Sequence, residues 1–328
     1  MVIDFIRLLL RACLGLVAGR TRGQGNRRPL LAEVLCLFVR FLLKDSLRKG
    51  VPWLRSRQVS FSRWLAPSLP VTFSRVDAGG VPALQCLPQG VEAPERWIVY
   101  LHGGGYVTGS PESSRDTIAR LALAADAAVL GIEYRLAPEA AFPAAHHDCL
   151  AATRQVIEQA GGASRVAMAG DSAGGALCVA TLVALRDGGE ALPAACVLLS
   201  PWVDPSAKGG SMVECAGSDI LSQEVLDSWK DTYLQGADPG PPGINLLQAT
   251  LTGLPPMLVQ FGEAEMFRDQ IQVLVSRLQA GGVEVSLAGY AGQFHVFQSF
   301  AGLLRQGREA LQEAGGFLAR HLKDLGVE

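Results

Sequence analysis

Six residues, Gly170-Asp171-Ser172-Ala173-Gly174-Gly175, constrain this chain more than any other stretch. They form a G-x-S-x-G core that follows an apolar run over residues 165–169 and opens a small-residue stretch of helical character over 176–185. The pattern calls for a strand, a sharp strained turn and a helix, which together lift one serine hydroxyl out of the sheet edge. Side chains flanking so tight a turn would collide with the neighbouring strand and helix, so only glycine or a similarly small residue fits. Ser172 is then expected at a helix N-terminus, where backbone N–H groups and the helix dipole favour negative charge developing beside it. In a chain with 37 glycines such a turn can also be passive, so its surroundings decide.

Those surroundings alternate between strand and helix. Strand-like runs over 71–76 and 81–87 flank the hairpin punctuation Asp77-Ala78-Gly79-Gly80. A continuous apolar run over 97–101 suits a strand covered on both faces, and it ends at His102-Gly103-Gly104-Gly105-Tyr106. Helices are predicted over 113–125 and 144–159, with strands over 127–134, 165–169 and 195–199. The alternation resumes with a strand over 256–261, a helix over 267–280, a strand over 283–290 and a final helix over 304–325. A mainly parallel sheet wrapped by helices on both faces follows. The pattern breaks between 204 and 254, which holds one good helix over 222–234 and no evident strand. That interval reads as an insertion, expected to join the N-terminal helices over the carboxyl ends of the strands, where ligands bind in open α/β sheets.

The first nineteen residues are apolar, but Asp4, Arg7 and Arg11 interrupt them and no basic region precedes them, so neither a signal peptide nor a membrane span fits. An amphipathic helix is expected there and a second over 30–47, both as a cap. The basic excess of the first fifty residues leaves room for a peripheral membrane contact. With 29 basic and 31 acidic residues, a formal net charge of −2 and no nucleic-acid motif, nucleic acid is not an expected partner. Seven scattered cysteines without a C-x-x-C read as free thiols in a reducing compartment, so a cytoplasmic location is expected. His146, His147 and Asp148 lack metal-ligand spacing and read as helix surface or packing, and no metal or other cofactor is expected.

Acyl transfer needs a nucleophile, a base, an acid to orient the base, and donors for the oxyanion. Ser172 is the candidate nucleophile. The backbone N–H groups of Gly103, Gly104 and Ala173 are expected as a three-donor oxyanion hole, because bare glycine backbone lets a substrate oxygen approach to about 3 Å. In the chain order serine, acid, histidine, only His295 and His321 lie downstream of Ser172. His321 falls within the terminal helix, so His295, in the loop after the last predicted strand, is the expected base. For the acid, Glu263, Glu265 and Asp269 all follow the strand over 256–261, and sequence distance alone leaves the three open.

H-G-G-G-Y from His102, Tyr134-Arg135-Leu136-Ala137-Pro138-Glu139, G-D-S-A-G-G from Gly170, Ser200-Pro201-Trp202, Gly253-Leu254-Pro255-Pro256 and the stretch 292–297 together resemble the hormone-sensitive-lipase-like esterases of the α/β-hydrolase superfamily, especially the bacterial ones. The resemblance runs from about residue 71 to the C-terminus. It implies an α/β-hydrolase fold, with a mostly parallel eight-stranded sheet flanked by helices and a helical cap. It also implies a serine carboxylesterase for short- to medium-chain esters, working through an acyl-enzyme without metal, and a homodimer. The expected organisation is an N-terminal cap segment over 1–65, a catalytic domain over 66–204 and 246–328, and a cap insertion over 205–245. Ser172 matches the family nucleophile, His295 its base, and Gly103, Gly104 and Ala173 its oxyanion donors. The family's usual acid, commonly Asp in D-P-L-R-D, is replaced by Glu265 in Glu265-Met266-Phe267-Arg268-Asp269, and the role is carried to Glu265. An amide or deacetylation hydrolase, or a lipase acting on longer acyl glycerides, would use the same triad with a different pocket.

Overall fold

All five residues of β3 (Trp97–Leu101) are buried, and their side chains alternate between two separate cores. Trp97, Val99 and Leu101 enter one, Ile98 and Tyr100 the other. A strand apolar on both sides is stable only with helices on both faces of its sheet, and that is the architecture found. The computed structural model describes residues 29–65, 68–240 and 243–322. The helix expected in the first nineteen residues lies outside them.

The other strands are β1 (Val71–Asp77), β2 (Pro82–Pro88), β4 (Ala128–Ile132), β5 (Val166–Asp171), β6 (Cys196–Leu199), β7 (Met257–Gly262) and β8 (Val285–Tyr290). They form one eight-stranded sheet in the order β1-β2-β4-β3-β5-β6-β7-β8. Only the β1–β2 and β2–β4 pairs are antiparallel. From β3 the chain crosses outward through α3 (Arg115–Ala125) to β4, then returns through α4 (Ala144–Gln159) to β5 on the other side of β3. The winding direction reverses there, which opens a crevice at the carboxyl ends of β3 and β5. Leu101 pairs with Gly170 at those ends, so the His102 loop and the Ser172 turn leave the sheet side by side.

The Ile98 and Tyr100 face is covered by α3 and by α9 (Arg305–His321), through Ile118, Leu121, Leu311 and Phe317. Helices α4, α5 (Ala173–Asp187) and α8 (Arg268–Ala280) cover the opposite face. Two more helices, α1 (Leu30–Lys49) and α2 (Val51–Leu65), meet at Gly50. Between β6 and β7 come the short α6 (Ser211–Glu214) and α7 (Gln223–Leu234), with no strand among the described residues. Among the described residues no helix is long and apolar enough to cross a membrane.

Two elements differ from the sequence expectation for physical reasons. Helix α2 carries Pro52 in its first turn and a polar run over 55–58, so it lacks a clean apolar stripe, yet proline is well tolerated at a helix start. Helix α5 begins at Ala173, three residues before the predicted start, because Gly174 and Gly175 lie inside its first turn. Both glycines are poor helix formers, and tertiary packing selects them. Gly174 rests against the carbonyl groups of Leu101 and His102 at the end of β3, and a Cβ there would collide with the Leu101 oxygen. Gly174→Ala is therefore expected to lower unfolding free energy by about 3 kcal/mol, or to prevent folding, the upper range for overpacking. A urea midpoint equal to that of the parent chain would contradict this packing constraint.

Candidate active site

Ser172 joins β5 to α5 with φ 53° and ψ −120°, a conformation that non-glycine residues rarely adopt. Such backbone costs roughly 1–3 kcal/mol and persists only where its surroundings over-determine it. Here they do. The Ser172 N–H donates to the Leu199 carbonyl at 2.8 Å, and the Ser172 carbonyl accepts from Trp202 N–H at 3.0 Å and Ala176 N–H at 3.2 Å. The turn thus aims Oγ at the crevice, where His295 Nε2 lies 2.8 Å away. A hydroxyl at that distance from a neutral ring nitrogen can pass its proton to it.

His295 follows β8 in a buried loop, its ring in a T-shaped contact with the Phe267 ring at a centroid distance of 4.8 Å. Its Nδ1 faces Glu265 Oε1 at 3.8 Å, longer than a hydrogen bond. Among the described residues neither atom has a hydrogen-bond partner. Catalytic contacts are often long in the free protein and tighten around substrate, and these two unsatisfied atoms have only each other to turn to. The other oxygen of Glu265, Oε2, accepts from Ser200 Oγ at 2.7 Å and from the Gly262 N–H at 2.9 Å. Glu265 is fully buried. Burial pushes its pKa above the ordinary carboxylate range, opposed chiefly by His295 beside it.

The alternative carboxylates have other surroundings. Glu263 is exposed. Asp269 accepts from the Ser211 N–H at 2.8 Å and pairs with Arg268 at 3.0 Å, tying α8 to the start of α6. His321 Nδ1 bonds the Phe317 carbonyl at 2.9 Å within α9. His146 contacts the Tyr233 hydroxyl at 3.0 Å, and Asp148 binds Arg135 at 2.7 Å. No group of side chains among the described residues could hold a metal ion.

The oxyanion loop departs from expectation at one residue. The Gly103 N–H donates to Asp171 Oδ1 at 3.0 Å, so it does not point at a substrate oxygen. Asp171 also accepts from the Tyr100 hydroxyl at 2.5 Å, and it is this buried carboxylate that holds the His102 loop against the serine turn. The N–H groups of Gly104, Gly105 and Ala173 have no acceptor among the described residues. The donor set available to a ligand is therefore Gly104, Gly105 and Ala173 in place of Gly103, Gly104 and Ala173. Ser200 and Asp171 escaped the sequence reading as site residues. Both carried a signal, since Asp171 stands within the serine motif and Ser200 follows β6 at the same sheet edge as the other site loops. A cavity of about 200 Å³ opens beside Ser172 and His295, with Val39, Leu43, Phe61, Ile220, Leu221 and Trp229 among its lining residues.

A family model described as alpha/beta hydrolase fold matches residues 98–299. The chain is 42% identical over 224 residues to an acetyl-hydrolase of Streptomyces hygroscopicus, covering 68% of this chain and 75% of that one. It is 32% identical over 308 residues to the carboxylesterase NlhH of Mycobacterium tuberculosis, covering 90% of this chain and 96% of that one. Its fold superposes with a TM-score of 0.82 on an esterase from the bacterial hormone-sensitive lipase family, at 38% identity, covering 87% of this chain and 97% of the other.

The burial of Glu265 has a pH signature. A carboxyl whose folded pKa exceeds the free value of 4.5 favours folding below that pH, and the contribution is lost as pH rises through the folded value. Gln in its place has no charge to bury. Glu265→Gln is thus expected to raise Tm relative to the parent chain at pH 8, with the gain shrinking as pH falls through the raised folded value towards the ordinary carboxylate range and levelling off below it. A gain that grows on acidification would contradict the burial account.

Proposed function

Since the chain belongs to the bacterial hormone-sensitive-lipase-like esterases of the α/β-hydrolase superfamily, we infer that its ester hydrolysis runs through Ser172, His295 and Glu265 by way of an acyl-enzyme. The chain is a carboxylesterase. The single observation that carries the assignment of residues is the 2.8 Å contact between Ser172 Oγ and His295 Nε2 at a strained turn. Ser172 Oγ attacks the ester carbonyl while His295 Nε2 takes its proton, then returns it to the leaving alcohol. Water enters by the same route and frees the acid. Glu265 holds the ring tautomer with the proton on Nδ1 and offsets the imidazolium charge. The developing oxyanion is bound by the N–H groups of Gly104, Gly105 and Ala173, the last at the N-terminus of α5, where the helix dipole adds to the field.

A cavity of about 200 Å³ with apolar walls supports a short- to medium-chain acyl group, since pockets for drug-sized ligands run to about 300–1,000 Å³. Of the proposed cap over the catalytic domain, the described residues 29–65 and 205–240 supply those walls. Among the described residues six buried cysteines form no disulfide, which supports a reducing, cytoplasmic compartment. A homodimer rests on family resemblance alone.

Two measurements test this reading. Ser172→Ala should fold and lose nearly all esterase activity, and Glu265→Gln should lower turnover by roughly 10² or more while Glu263→Gln and Asp269→Asn cost about tenfold or less. A crippled Asp269→Asn beside a mild Glu265→Gln would overturn the choice of acid. In a series of p-nitrophenyl esters, turnover should peak at short to medium acyl chains and exceed that on the matching anilide. A preference for the anilide, or for emulsified long-chain triglyceride, would favour the amidase or lipase reading.

A further inference from the structure

The inserted segment between β6 and β7 holds a carboxylate that the chemistry above leaves unused. Asp219, in the loop between α6 and α7, is fully buried. Its Oδ1 accepts from the Ile220 N–H at 2.7 Å and from the His295 N–H at 2.9 Å. Its Oδ2 accepts from the N–H of Met266, the residue after Glu265, at 2.8 Å. We propose that Asp219 is a positioning residue for ester hydrolysis, clamping the loop that carries His295 to the loop that carries Glu265 and both to the inserted segment. The proposal rests on the assignment of Ser172, His295 and Glu265 above.

The residue type follows from the donors it must satisfy. A buried carboxylate costs several kcal/mol unless its lone pairs are occupied, and three charge-assisted hydrogen bonds meet that need. Two acceptor oxygens are required. An asparagine would serve Ile220 and His295 with its single oxygen but turn its NH₂ towards the Met266 N–H, donor against donor. An apolar residue would leave all three N–H groups buried and unpaired.

The consequence falls on the one loose contact of the site. His295 and Glu265 stand 3.8 Å apart, and the backbone on each side of that gap is bound to the same carboxylate, His295 through Oδ1 and the Glu265 loop through Oδ2. The distance between two oxygens of one carboxylate is fixed, so Asp219 fixes the spacing of base and acid. A displacement of about 1 Å in such a pair can cost on the order of 10² in rate. Two more bonds anchor the clamp: Ser218 Oγ donates to the Ala264 carbonyl at 3.1 Å, and Arg40 Nη1 of α1 donates to the Gly217 carbonyl at 2.9 Å. The geometry of base and acid thereby depends on α1 as well as on the insertion.

The test uses the full chain with p-nitrophenyl butyrate, following both steady-state constants and the pre-steady-state acylation burst. Asp219→Asn is expected to lower kcat by about 30-fold or more with KM within about threefold, and to slow the burst while leaving its amplitude near one per chain. A merely structural role would shrink the amplitude, through the fraction folded, and leave the rate of the remainder unchanged. That result would overturn the proposal, as would a parental kcat or a raised KM at unchanged kcat. If Asp219→Asn does not fold, Arg40→Met decides: about threefold lower kcat at full burst amplitude supports the clamp, and a parental kcat overturns it. Ser172→Ala is measured alongside. Retained turnover there would sink the assignment of the triad itself, whereas an inactive Ser172→Ala with an unimpaired Asp219→Asn would remove Asp219 alone.

Discussion

The close approach of α5 to the end of β3 is the contact on which the rest of the site depends. Because Gly174 lies against the Leu101 carbonyl, the helix starts one residue after Ser172, and the serine is forced into backbone with φ 53°. The strain is met by main-chain hydrogen bonds to Leu199 and Trp202, so it is distributed over β6 and the loop after it. What the fold gains is direction. The hydroxyl leaves the sheet at the switch between β3 and β5, within reach of the loops that end β3, β7 and β8.

A second theme is the concentration of buried acids around one histidine. Asp171, Asp219 and Glu265 are all buried, and each is held chiefly by N–H or O–H donors. Two of them fix different loops, Asp171 the His102 loop through Gly103 and Asp219 the histidine loop through its backbone, while Glu265 Oε1 stands 3.8 Å from the imidazole Nδ1. Burial pushes the carboxyls of Asp171 and Glu265 upward. Such groups reduce stability at neutral pH, a familiar cost of a site organised before substrate arrives.

How much of this could be read in the sequence depended on whether a signal was local. The strands buried on both faces, the helix Ala144–Gln159 and the serine turn carry their periodicity or glycines in one stretch, and they stand where the pattern put them. His295 was reachable by chain order. Between Glu263, Glu265 and Asp269, by contrast, only three-dimensional placement discriminates: Glu265 is buried beside the imidazole while Asp269 pairs with Arg268 and Ser211. The Gly103 N–H looked like an oxyanion donor because glycine permits close approach, but its partner, Asp171, lies 68 residues away. Asp219 sits in an insertion without period or motif, and its three donors come from distant loops and its own neighbour. Nothing local could announce it.

The central claim is that ester hydrolysis passes through a covalent bond to Ser172 Oγ with the proton handed to His295. The most direct test is to trap that bond with a p-nitrophenyl alkylphosphonate and locate the adduct by peptide mass spectrometry. The account predicts one phosphonyl group per chain, on Ser172, appearing in step with loss of activity and absent from Ser172→Ala. Loss of activity with the label on another residue, or with Ser172 unmodified, would contradict it.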